Sequence, residues 1–354
     1  MKILLVHPGA SWSVADVWRG YDKALRKAGH EIISYALDGR IAAAGGWLNY
    51  CWRKAGKPDP KPQPPDIIYA ASQFILERAL RHRVDWVLLV SAMYVHPDAI
   101  VLMRRAGLRV AVMFTESPYD MDGELRVAGL VDAVFTNERS AVPAFASACQ
   151  SATYLRHAYD PDVHKPFVPP SDTPTHDVVF VGTGFQERCD LLGGVDWDGI
   201  DLGLYGAWPL LGSRNKLRRH IKGDIVPNEQ TAAMYQRARI GLNIHRTSIG
   251  WGKDAPRIDH AESVNPRVIE MAACGVALLS DWREEMGDLF PFDVPVFENS
   301  KHLEAHIRHY VSNSDESIEL ASNLHRAIQG ETFDARVPTL IKALESAQEE
   351  MING

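Results

Sequence analysis

ESVNPRVIEMAACGVALLSDWREEMGDLF, residues 262–290, has the pattern of a helix, a tight turn and a buried strand. Asn265 suits the position before a helix, where its side-chain oxygen accepts a free backbone N–H, and Pro266 suits the first helical position. The helix is expected over 266–274, closed by Gly275 in the left-handed conformation, with VALLS following as a buried parallel strand. Glu270 stands out because its neighbours in VIEMAAC are small and apolar. A buried carboxylate without partners is costly, so something must satisfy it. One reading is an internal ion pair with Arg267, three residues earlier on the same face. The other is that Arg267 and the free N–H groups of the helix start hold a phosphate, while Glu270 accepts hydrogen bonds from sugar hydroxyls. On the second reading the two side chains grip a nucleotide.

NPRVIEMAACGVALLSDWREEMGDLF resembles the C-terminal signature of the CgeB-like (spore maturation protein) branch of the group 1 glycosyltransferases, where Asn-x-Arg-x-x-Glu precedes an Ala-Cys-Gly turn. LNIHR at 242–246, YLRHAYDPDVHKP at 154–166 and the Tyr-Gly-x-Trp segment at 205–208 extend the likeness. The resemblance implies the GT-B architecture, an α/β fold of two Rossmann-like domains facing across a cleft, with C-terminal helices crossing back to the first domain. It implies transfer of a sugar from a nucleotide diphosphate sugar, UDP-sugar favoured, without an obligatory metal or other cofactor. By the same likeness Glu270 binds the donor's ribose, and Glu262 completes the E-x7-E spacing of the wider superfamily. Gly182 and Thr183, in the first turn of the second domain, approach the donor, as does the Gly9 loop in the first. E-x7-E leans towards retention of anomeric configuration, again by analogy.

The chain of 354 residues is long enough for two cores, and 46% hydrophobic with 23% charged residues is ordinary for a soluble globular protein. No apolar run approaches the roughly 20 residues that span a bilayer. MKILLVHPG reads as a first strand and not as a signal peptide, so a cytoplasmic protein is expected. Cys51, Cys149, Cys189 and Cys274 are scattered and form no ligand cluster, as reduced thiols would be. A formal net charge of -7 argues against a generally basic nucleic-acid-binding surface.

KILLVH, a helix at ADVWRGYDKALRKAG and HEIISYAL make a βαβ opening. Its Gly9 loop lacks GxGxxG, and His7 reads as a packed strand-end histidine. IAAAGGWLNYCW suggests a helix and RKAGKPDPKPQPP a proline-rich loop, either a plain connection or the border of an acceptor site. Strands and helices then alternate to VDAVFTNE and SAVPAFASACQ. The loop TESPYDMDG follows a strand, where open α/β sheets place ligands. Glu116 there is the candidate acceptor base, with Tyr119 and Asp120 nearby; the alternative is a helix-capping and turn cluster. The Asp-x-Asp triplets at 120, 160 and 196 read as turns, with no metal site among them. Domains are expected at 1–160 for the acceptor, 161–175 as a proline-rich linker, 176–330 for the donor, and 331–354 as a helix returning to the first.

In the second domain DVVFVGTGF leads into the Gly182 turn. Gly206 follows the next strand, and Tyr205 or Trp208 is a candidate platform for the nucleobase, against the ordinary reading of strand-end aromatics as core. GSRNKLRRHIKG is basic at 214, 216, 218, 219 and 222. It reads as a solvated helix or loop, or as a contact for a DNA acceptor; a protein or glycan acceptor is the favoured alternative. RIGLNIHR delivers His245 and Arg246 to a strand's carboxyl end as candidate catalytic residues offsetting the leaving diphosphate. Their structural alternative is a salt bridge to Asp281 or Glu284. Two rival functions share this architecture: a nucleotide-sugar epimerase, and a non-catalytic sugar-nucleotide-binding protein.

Overall fold

The computed structural model describes every residue except 11–12, 169–170, 173–174, 225, 227, 259 and 354. Parts of the PGASWS loop and of the expected 161–175 linker therefore lie outside the described residues. The chain divides into two compact units, Met1–Arg156 with Phe333–Gly354, and His157–Thr332.

The first unit contains β1 (Lys2–His7), α1 (Ala15–Lys27), β2 (Glu31–Ala36), α2 (Asp38–Lys54), α3 (Pro64–His82), β3 (Trp86–Val90), α4 (Pro97–Arg105), β4 (Val110–Phe114), α5 (Met121–Ala128), β5 (Ala133–Thr136), α6 (Val142–Ala148) and β6 (Ser151–Tyr154). Its six strands lie in the order β2-β1-β3-β4-β5-β6, all parallel. β3, β4 and β5 are buried along their whole length, in keeping with WVLLV, VAVMF and AVF, which are continuously apolar up to Thr136. β6 was not anticipated: SATY is half-buried throughout and mostly small and polar, as an edge strand can be.

The second unit contains β7 (His176–Val181), α7 (Gln186–Gly193), β8 (Leu202–Tyr205), β9 (Ile221–Gly223), α8 (Asn228–Gln236), β10 (Ala238–Asn243), α9 (Pro266–Cys274), β11 (Ala277–Ser280), α10 (Glu285–Leu289), α11 (Ser300–Ser312) and α12 (Ser314–Ala327). Its five parallel strands are ordered β11-β10-β7-β8-β9. The end of the basic GSRNKLRRHIKG stretch is thus an edge strand, preceded by a 3-10 turn over Lys216–His220 that buries Leu217. Arg218 donates to the carbonyls of Leu211 and Gly212, so that side chain folds back on its own loop.

The final helix, α13 (Phe333–Asn353), belongs to the first unit. Phe333 meets Tyr21 edge-on at 5.1 Å and fills the space left by Gly20, where a Cβ would come within 2.2 Å of its ring. Arg336 Nε donates to the Arg156 carbonyl at 3.1 Å. Among the described residues no helix is long and apolar enough to cross a membrane. Cys149, Cys189 and Cys274 are buried and all four cysteines are free.

Candidate functional site

In the second sheet the chain runs outward from β7 through β8 to β9, then returns to the other side for β10 and β11. The direction of winding therefore reverses between β7 and β10. In open α/β sheets the crevice beyond the strand ends at such a reversal is where ligands bind.

Arg267, in the first turn of α9, spans that point. Its Nε donates to the carbonyl of Val181, the last residue of β7, and its Nη1 donates to Oδ1 of Asn243, the last residue of β10, each at 2.8 Å. Gly182 makes room for it, since a Cβ there would lie 2.7 Å from Arg267 Nη2. Gly206, at φ +107°, in turn lies against the backbone of Gly182, and a Cβ on it would come within 2.3 Å of the Gly182 carbonyl oxygen. The two turn glycines thus permit backbone-to-backbone packing beneath the guanidinium, a role only glycine fills.

α9 begins and ends as expected, with Pro266 first and Gly275 left-handed at φ 71°. The expected cap is corrected: the Asn265 side chain makes no bond to the helix amides. Asn265 Nδ2 instead donates to Asn243 Oδ1 at 2.8 Å, because that fully buried oxygen needs donors and collects two, Asn265 and Arg267. Asn243 Nδ2 donates onward to Ser280 Oγ at 2.8 Å, tying β10 to β11. The first-turn amides of α9 are left without a side-chain cap.

Glu270 lies one turn further in. Arg267 is occupied by Val181 and Asn243, and among the described residues no hydrogen bond or ion pair holds the Glu270 carboxylate. Burial pushes this carboxyl up to about 7, with Arg267 opposing the rise. The anticipated ion pair is therefore not formed, and Arg267 acts on Glu270 only through its charge. The approach to α9 is held by Glu285, itself 1% exposed, which accepts the Val264 N–H at 2.8 Å. The Glu262 carbonyl accepts the Glu285 N–H, and its carboxylate lies 3.3 Å from His260 Nε2.

His245 is buried and bonded to Asp281, one of its two anticipated partners, with Nδ1 2.7 Å and the backbone N–H 2.9 Å from Asp281 Oδ1. Burial lowers the imidazole despite Asp281. Burial raises Asp281, yet His245 holds it below the usual carboxylate range overall. Arg246 lies 4.6 Å over the Phe185 ring and donates from Nε to the Ser248 carbonyl at 2.7 Å. The loop carrying both is clamped by α7. Glu187 accepts the N–H groups of Thr247 and Ser248 and the Ser248 hydroxyl, and buried Arg188 donates to the carbonyls of Ile244 and Thr183. Asn243, Glu187 and Glu285 were not singled out from sequence. The one legible signal was Asn243, a polar residue closing the apolar strand ARIGLN.

The aromatic candidates turn inward. Tyr205 is 4% exposed, its hydroxyl 2.8 Å from His176 Nε2, and Trp208 packs edge-on to Phe180 at 5.6 Å in the space left by Gly184. Neither ring offers an open face, so the core reading describes them. In the first unit Gly9, at φ +127°, packs on Asp38, and His7 stacks on Trp18 at 3.8 Å. Glu116 is half-buried on the loop after β4, and its N–H donates to Glu124 Oε1 at 3.2 Å. Glu124, missed in sequence, is buried and pushed up to about 8 by that burial, while accepting the Ser117 hydroxyl. It lines a cavity of about 460 Å³ with Ser91, Phe114 and Asp120, beside the carboxyl ends of β3 and β4. Asp160 and Asp196 accept the N–H two residues on, as turns do. Among the described residues no group of three or more His, Cys, Asp or Glu is placed to hold a metal ion.

Residues 186–342 match the family described as glycosyl transferase-like. The chain is 24% identical over 272 residues to the spore protein CgeB of Bacillus subtilis (strain 168), covering 74% of this chain and 83% of that protein. Among solved structures, Anabaena Alr3699/HepE in complex with UDP and glucose superposes with a TM-score of 0.62 at 15% identity, over 98% of this chain and 100% of that one. An alpha-glucosyltransferase in complex with UDP and a 13-mer DNA containing a HMU base gives 0.62 at 10% identity, over 98% and 99%. With its two parallel sheets and these neighbours, the chain has the GT-B fold and resembles the CgeB-like branch of the group 1 glycosyltransferases.

Proposed function

We propose that the protein transfers a sugar from a nucleoside diphosphate sugar, UDP-sugar favoured, to a hydroxyl-bearing acceptor. The observation that carries this reading is Arg267 bridging the ends of β7 and β10 at the winding reversal, with an unpartnered Glu270 one turn behind it. In this reading the uncapped start of α9 receives the diphosphate, with Arg267 contributing its charge from behind the strand ends, and Glu270 accepts the ribose hydroxyls. Gly182 packs against Arg267, Gly206 against Gly182, and Asn265 shares the Asn243 oxygen with Arg267; Thr183 and Glu262 are assigned to the donor by the family resemblance alone.

As the bond from C1 to the diphosphate oxygen breaks, negative charge builds on the leaving group. Fixed donors already oriented there lower the barrier. Arg246 and the α9 amides are the donors proposed here, with buried His245 holding the loop through Asp281. The acceptor oxygen bonds to C1 and its proton passes to a base, for which Glu116 of the first unit is the candidate. Beside it, the cavity at Glu124 offers room for an acceptor group.

The test is a thermal-shift titration with UDP-glucose and UDP. Ligand at 100 times its dissociation constant stabilises by roughly 2.7 kcal/mol, and Glu270→Ala is expected to abolish the shift. A shift that survives the substitution overturns the ribose assignment. Glu116→Gln is expected to stop transfer while leaving the shift intact. Conversion of UDP-sugar into an altered sugar with no acceptor present would instead identify an epimerase.

A further inference from the structure

α2 is a helix with no buried residue, followed by an exposed basic loop. From Ile41 to Trp52 its sequence, IAAAGGWLNYCW, carries no charge. Ala43, Trp47, Tyr50 and Lys54 recur at the spacing that lines one helix face, and all four are exposed. Trp47 is 65% and Tyr50 47% exposed, and their rings stack at 5.9 Å. An ordinary surface helix places charge on its solvent face. Here that face presents Ala43, Trp47 and Tyr50, and carries charge only at its Lys54 end.

The cations gather at one end. Arg53, Lys54, Lys57 and Lys61 are all exposed, with Asp59 the opposing acid in that run. Lys54 lies 5.7 Å over Tyr50 and Lys61 lies 5.8 Å over Trp52, while Trp52 Nε1 donates to the Pro58 carbonyl and folds the loop back on the helix. Aromatic rings with an apolar body and a polar edge, bordered by lysines and arginine, match the boundary between acyl chains and anionic headgroups.

We infer that α2 and its basic loop form a docking surface for an anionic lipid membrane, on which the helix lies without spanning. Trp47 and Tyr50 enter the headgroup layer, and Arg53, Lys54, Lys57 and Lys61 pair with lipid phosphates. None of these residues is among those assigned to the donor.

The experiment is co-sedimentation of the full chain with vesicles of phosphatidylcholine alone or mixed with phosphatidylglycerol, at low and high salt. Each cation near such a surface contributes roughly fivefold in affinity, so the mixed vesicles are expected to bind at least roughly tenfold tighter than the neutral ones. Salt is expected to weaken that binding. Lys54→Glu with Lys57→Glu is expected to reduce it at least roughly tenfold, and Trp47→Ala with Tyr50→Ala to weaken it on both vesicles, each while leaving the melting temperature and the UDP-induced shift unchanged. Equal affinity for both vesicles, no sedimentation, or unaltered binding by the variants overturns the inference. So does binding of duplex DNA or self-association that these substitutions abolish while vesicle binding is absent.

Discussion

Replacing Glu270 by Gln tests the electrostatics of the site directly. The carboxyl is raised from 4.5 to about 7 because the fold withdraws it from water. Between those values the folded chain binds the proton more tightly than the unfolded chain, so stability falls as pH rises through this window and is level above it. The difference corresponds to about 3 kcal/mol. Gln carries no such penalty. Glu270→Gln should therefore melt with the parent near pH 4 and outlast it at pH 8 by up to about 3 kcal/mol, or about 6–12 °C for a unit of this size. UDP adds a second readout. Ribose hydroxyls that donate to Glu270 favour its ionised form, so parent affinity for UDP should rise with pH through about 7 and binding below that pH should release a proton. In the variant that slope should vanish along with most of the affinity. Melting by circular dichroism and calorimetric titration in buffers of different ionisation enthalpy measure both effects. A stability difference that is the same at both pH extremes would refute the burial argument. UDP affinity unmoved by the substitution would refute the ribose grip.

Arg267→Ala removes both donors that span β7 and β10, and should cost about 3 kcal/mol in urea denaturation and eliminate UDP binding; a UDP dissociation constant equal to the parent's would place the diphosphate elsewhere. Asp281→Asn weakens the hold on His245 and should cost about 1–3 kcal/mol near neutral pH. Since the folded carboxyl is held below its ordinary 3.8, its contribution is present above that value and lost as pH falls through the folded one. The gap to the parent should therefore close on acidification, and a gap that persists in acid would show that Asp281 acts by packing.

The helix, turn and strand at 266–280 were readable from sequence because each rests on local chemistry. Proline suits a first helical turn, glycine adopts the left-handed close cheaply, and VALLS just after that turn is the short apolar run typical of a buried parallel strand. The apolar strands β3, β4 and β5 were readable for the same reason. β6 and β9 were not, because an edge strand needs no apolar pattern and is set by its neighbour's free backbone groups. Partner choice was likewise invisible. Arg267 stands three residues from Glu270, yet it reaches back across the sheet to Val181 and Asn243, so helical spacing offered a neighbour that the fold did not use. Asn265 occupies the capping position but serves Asn243, whose burial creates the stronger demand for a donor. Tyr205 and Trp208 turn inward because Gly184 leaves space for an indole and His176 offers a partner to a phenol. Local backbone preference is written in the residues themselves. The pairing of buried polar groups depends on which strand ends meet, and the order β11-β10-β7-β8-β9 decides that only once the chain has folded.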